Sequence, residues 1–283
     1  MFLVAVIFFA GKGSFTYLIE PSKNSSVEFF AMLTAFMAAT TGALAAYDGW
    51  NNLGFVAGEI KDPHKNIPRG LIIGIGICIL LYVLSTEAYL YVLPVNVMKD
   101  STLVASDALN FSIGTAGAIF VSILVIISTA GGTNGNILPC ARVTYAMSKE
   151  KSFFAFASKV NSKHTPSNAF WLQDSGASVL VMIGSFDMLV DMFVFITWIF
   201  YGFAAYGIFI LRKKMDAKQF PYRIKFFPVL PIIFIAFAML YVGITLYNDI
   251  HNFYLGKTRV INSVLGLILA CTGIPLYKYF KSR

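Results

Sequence analysis

The sequence predicts an all-α integral membrane protein whose first complete span is discontinuous, and three observations predict it. Hydrophobic residues fill 57% of the 283 positions and charged ones only 13%, where a soluble domain carries about 25% charged residues. The apolar residues gather into stretches of about twenty, the length of helix that crosses a hydrocarbon core about 30 Å thick. The Lys and Arg residues, finally, fall mostly in every second connection between those stretches. This pattern excludes a soluble enzyme, a nucleic-acid-binding domain and a disordered scaffold. The expected surroundings are a lipid bilayer. The net charge of +8 does not imply a nucleic acid, because in a membrane protein the placement of loop charge matters more than its total.

In chain order, an apolar stub, Met1–Gly11, comes first and is about half as long as a span. Seven spans follow: Val27–Ala57, Gly70–Leu93, Thr115–Gly131, Ala169–Ile183, Met188–Leu211, Val229–Tyr247 and Val260–Phe280. With this partition 17 of the 22 basic residues lie in alternate connections, among them Lys61, Lys65, Arg69, Arg142, Lys149, Arg212, Lys213, Lys214 and Lys278. Only Lys12, Lys23, Lys99, Lys257 and Arg259 lie in the others. The positive-inside rule puts the richer side in the cytoplasm. The first full span thus runs inward, and the C-terminus is cytoplasmic.

Val27–Ala57 is too long for a simple crossing and holds a polar run, Tyr47-Asp48-Gly49-Trp50-Asn51-Asn52, before apolar residues resume at Leu53. Gly49 permits backbone angles other residues resist, and Asp and Asn compete with the helix for its hydrogen bonds. Such a cluster at membrane depth is costly unless the helix is unwound beside a cavity. Broken helices of this kind form substrate sites in secondary transporters. Asp48 is the most telling charge, because an ionisable group within a span is a functional candidate by default. Its structural alternative is to cap the second half-helix through free amides.

Other polar groups carry paired readings. Ser128, Thr129, Thr133 and Asn134 flank Gly131-Gly132 and could face substrate or simply bond between helices. Glu87 lies mid-span and should turn toward the protein interior or water, while Asp174 can snorkel outward. Cys78, Cys140 and Cys271 are scattered and odd in number, and His64, His164 and His251 are isolated. Neither a disulfide framework nor a metal-ligand spacing is expected, and no cofactor.

The polar run also carries a resemblance. Tyr47 through Pro63, with Asn66-Ile67-Pro68-Arg69, resembles the sixth helix and following loop of amino acid–polyamine–organocation permeases, most closely the L-type amino acid exchanger branch. Thr133-Asn134-Gly135-Asn136 with Ala141-Arg142 resembles the eighth helix, and Trp198 to Gly202 the tenth. Pro221-Tyr222-Arg223 with Pro228 resembles the loop into the eleventh, and Gly273 to Tyr277 the twelfth. The resemblance implies an inverted-repeat fold of the leucine-transporter type. Residues 1–26 would be the end of helix five and an external loop, 27–211 the second five-helix repeat, and 212–283 a cytoplasmic loop with helices eleven and twelve. Helices one to four would be missing, and with them the break that holds the substrate carboxylate. Two departures stand out: Leu44-Ala45 replaces bulky aromatics that gate the site, and Pro139-Cys140 replaces smaller residues.

On that resemblance the protein is expected to be an amino acid permease or exchanger of the plasma membrane, working by alternating access and not an enzyme. Tyr47, Asp48, Gly49, Trp50, Asn51, Ser128, Thr129 and Asn134 would line the substrate site, with Trp198 and Tyr201 along the access path. The substrate would be an amino acid as a small-molecule partner, and a missing N-terminal half or a second copy would complete the protein. Alone, the chain is expected to insert but not to transport. The alternatives are an inactive permease remnant, a carrier of polyamines or other organic cations, and, further off, a channel or receptor.

Overall fold

The computed structural model describes residues 2–10, 12–18, 28–55, 57–162, 165–214, 224 and 226–281. Val56, His164 and the Pro221-Tyr222-Arg223 motif, as well as most of the external loop expected before residue 27, lie outside the described residues. Among those residues the regular structure is entirely helical. In chain order the helices are α1 (Phe2–Phe9), α2 (Phe29–Ala46), α3 (Asn52–Phe55), α4 (Pro63–Val92), α5 (Val95–Met98) and α6 (Val104–Ile113). They continue with α7 (Thr115–Lys149), α8 (Ser167–Ile183), α9 (Phe186–Lys214), α10 (Val229–Tyr254), α11 (Asn262–Cys271) and α12 (Gly273–Lys281).

Six segments among the described residues are long and apolar enough to cross a membrane: α2, α4, α7, α9, α10 and α11 with α12. The seventh expected span coincides with α8, whose 17 residues stand at the short end of the spanning range of about 17–25. Two helices outrun their apolar stretches. α4 begins at Pro63, where a missing N–H costs nothing in the first turn. α7 continues past Gly131-Gly132 and through Pro139 to Lys149. The last span is interrupted at Thr272. Pro275 has no N–H to give the carbonyl four residues earlier, and the Thr272 hydroxyl turns back to the Leu269 carbonyl at 2.6 Å.

The chain forms two compact units, residues 1–26 with 67–137 and residues 27–66 with 138–283. In the first, Ile7 of α1 is fully buried with Val92 of α4, Leu109 of α6 and Val121 of α7. The Ser14 amide donates to the Tyr91 carbonyl at 2.8 Å. Gly13 beside it must be glycine, because a Cβ there would stand 2.3 Å from the Tyr91 ring.

In the second unit α2, α9 and α10 pack around Met37, Val194, Tyr241 and Ile244, with Leu44 and Ala45 against the same cluster. Buried polar groups are expensive in such a core unless paired, and here they pair across helices. Thr41 and Tyr241 share a hydroxyl hydrogen bond of 2.9 Å, and Asn248 donates to the Thr34 carbonyl at 3.1 Å. α11 lies against α9, where Gly266 leaves a Cβ only 3.2 Å from Ile196. Its first turn is held by the Asp249 carboxylate, which accepts the Ser263 amide at 2.8 Å.

Candidate substrate site at the helix break

The polar run interrupts the first full span. The α-helical ladder of α2 ends with the Tyr47 amide on the Ala43 carbonyl at 3.1 Å. The next amide, Asp48, reaches back only three residues, to Ala45 at 3.2 Å. Gly49 then adopts φ +99°, a left-handed conformation open to glycine and strained for other residues. The chain re-enters helix with the Asn52 amide on the Gly49 carbonyl at 3.1 Å and the Gly54 amide on Asn51 at 2.9 Å. Four residues of α3 and the 3-10 turn Ala57–Glu59 follow.

The break is tied to α9. The Tyr201 hydroxyl donates to Asp48 Oδ1 at 2.7 Å, a short bond to a carboxylate of the kind that exceeds a neutral pair in strength. The Trp50 ring lies 5.2 Å from the Tyr201 ring. One turn earlier on α9, Trp198 stacks on Phe234 at 5.5 Å and meets Phe237 and Tyr241 at 5.1 and 5.8 Å. Trp198 thus packs on α10 and steadies the α9 face carrying Tyr201. Asn51 Oδ1 is buried and has no hydrogen-bond partner among the described residues.

Of the residues expected at a site, Asp48, Trp50 and Tyr201 come together, with Tyr47, Gly49 and Asn51 in the same turn. Ser128, Thr129 and Asn134 are exposed along α7, in the part that belongs to the first unit, whereas the break belongs to the second. Glu87 is exposed on α4 and Asp174 on α8, so the interior position open to Glu87 is not the one it takes. Nothing in the sequence pairs Asp48 with Tyr201, which is one of several polar residues, with Asp191, Thr197 and Tyr206, in a largely apolar span.

A spanning helix unwound around a carboxylate is a feature of secondary transporters. The family model described as Amino acid permease matches residues 1–273, and the chain belongs to that family, one of transport proteins and not of enzymes. It is 31% identical over 253 residues to the Serine/threonine exchanger SteT of Bacillus subtilis (strain 168), covering 88% of this chain and 55% of that one. It is also 31% identical over 275 residues to the Large neutral amino acids transporter small subunit 2 of Rattus norvegicus, covering 94% and 48%. With the human Cystine/glutamate transporter it shares 29% identity over 241 residues, covering 83% and 44%. The chain spans about half the length of these relatives.

Proposed function

We propose that the chain supplies the break-bearing half of an amino acid permease of the L-type exchanger branch, which moves its substrate across the plasma membrane by alternating access. In this reading residues 27–211 form the second of two inverted repeats, residues 212–283 carry the two helices that follow, and the C-terminus is cytoplasmic. The observation that carries it is the unwound turn, which holds the Asp48 carboxylate and an Asn51 oxygen without a partner among the described residues. A buried acceptor without a donor costs about 1–3 kcal/mol, and a substrate ammonium is a donor of the right charge. Half-helix ends and freed backbone near the midplane are what secondary transporters offer their ligands. Ser128, Thr129 and Asn134 would join the site from the eighth helix, and Trp198 and Tyr201 would border the access path. The named relatives carry serine, threonine, cystine, glutamate or large neutral amino acids, which favours an amino acid over a polyamine.

The test is uptake of labelled amino acids into proteoliposomes, by the chain alone and by the chain assembled with the first five helices of the Bacillus subtilis relative. Saturable uptake in either arm, lost with Gly49→Leu, supports the reading. Empty-vesicle rates in both arms overturn it.

A further inference from the structure

Between α9 and α10 the second unit holds a cavity of about 660 Å³, within the range of about 300–1,000 Å³ typical of ligand sites. Ala204, Ala205 and Ile208 form its α9 wall, and the small side chains of the two alanines make the room. Leu230, Phe234 and Phe237 form the α10 wall, and Trp50 and Tyr201 line it as well. Walls of carbon cannot repay the desolvation of a zwitterion, so the charged groups of an amino acid do not belong here. Hydrocarbon does.

Beyond Ile208, the last turn of α9 is basic. Residues 201, 204, 205, 208 and 212 share one face of α9, so the wall leads directly to Arg212, and α9 closes with Lys213 and Lys214. The Arg212 guanidinium lies 3.8 Å over the Phe227 ring, three residues before Leu230. It therefore bridges the two helices where the α10 wall begins. From Tyr201 to Arg212 the helix rises about 16 Å, a span that suits an extended chain and not a compact solute.

We propose that this cavity holds one acyl chain of an anionic phospholipid, with the headgroup phosphate on Arg212 and in the field of Lys213 and Lys214. The apolar walls select the chain and the three cations select the charge. Arg212, whose planar fork pairs with phosphate oxygens, is the anchor.

The test is native mass spectrometry of the purified full chain, released from detergent after equal additions of dioleoyl phosphatidylglycerol or dioleoyl phosphatidylcholine. One phosphatidylglycerol is expected to stay bound in preference to phosphatidylcholine. Arg212→Gln should reduce that preference about fivefold, as expected for one basic residue beside an anionic headgroup, without abolishing chain binding. Ala204→Trp and Ile208→Trp should each expel both lipids, whereas Ile79→Trp on the exposed face of α4 should expel neither. Melting curves identify which variants are folded, and any folded cavity variant suffices. Equal retention of the two lipids overturns the proposal, as does retention in a folded Ala204→Trp or Ile208→Trp chain. Displacement of the lipid by leucine also overturns it, because the cavity would then serve a substrate side chain.

Discussion

Tyr201 and Asp48, 153 positions apart in the chain, meet in a hydrogen bond of 2.7 Å that fastens the unwound turn of the first span to α9. The bond explains how a carboxylate is kept within an apolar bundle: it is held by the hydroxyl of a tyrosine from another helix, whose ring lies 5.2 Å from that of Trp50. A double-mutant cycle on Asp48→Ala and Tyr201→Phe should therefore be non-additive, with a coupling of about 0.5–3 kcal/mol. The measurement is thermal or denaturant unfolding of the detergent-solubilised chain. Additivity would mean the two groups act independently.

Gly49 is replaceable only at the expense of the backbone. A Cβ at this position would find space, since its nearest neighbour is Asn52 Nδ2 at 3.8 Å, but φ is +99°. Gly49→Ala should lose about 1–2 kcal/mol, the penalty of a left-handed L-residue. Gly54→Ala in α3, with open space around it, should lose nothing or gain. Comparing the two unfolding midpoints checks this, and equal midpoints would remove the strain argument.

The buried bond between Thr41 and Tyr241 fixes α2 on α10. Thr41→Val should destabilise the chain by about 0.5–1.5 kcal/mol, the net worth of one hydrogen bond. Thr40→Val, whose hydroxyl is exposed and bonds only its own helix at the Phe36 carbonyl, should change little. A reversed order in the melts would show that the contact is not stabilising.

The bias of basic residues predicts an orientation that labelling can check. Single cysteines at Ser101 and Asn252, in a background lacking the three native ones, should react with an impermeant maleimide in intact cells. Cysteines at His64 and Ser162 should react only after permeabilisation. Labelling of the His64 position in intact cells would invert the topology.

What could be read in advance follows from the range of the forces. Span positions depend on local apolarity, and α9 and α10 stand where their apolar runs stand. The break was legible because Asp48, Gly49, Asn51 and Asn52 are adjacent, so their shared aversion to helix adds up within one turn. The course of α7 was less so. Apolarity fades at Gly131 although the helix continues to Lys149, since glycine and an internal proline are tolerated where neighbouring groups satisfy the backbone. The partner of Asp48 was hidden for another reason: nothing local in Trp198-Ile199-Phe200-Tyr201 says which distant carboxylate the hydroxyl will meet.

The buried, unpaired Asn51 oxygen has a calorimetric consequence. The folded protein holds this polar group in a worse environment than water would give it, and the unfolded chain does not. A ligand that donates to this atom corrects the deficit in the folded state alone, so binding and folding become linked, and occupancy raises the melting temperature with the logarithm of free ligand. Amino acids could then be ranked by the heat they let the protein withstand, before any of them is seen to cross a membrane.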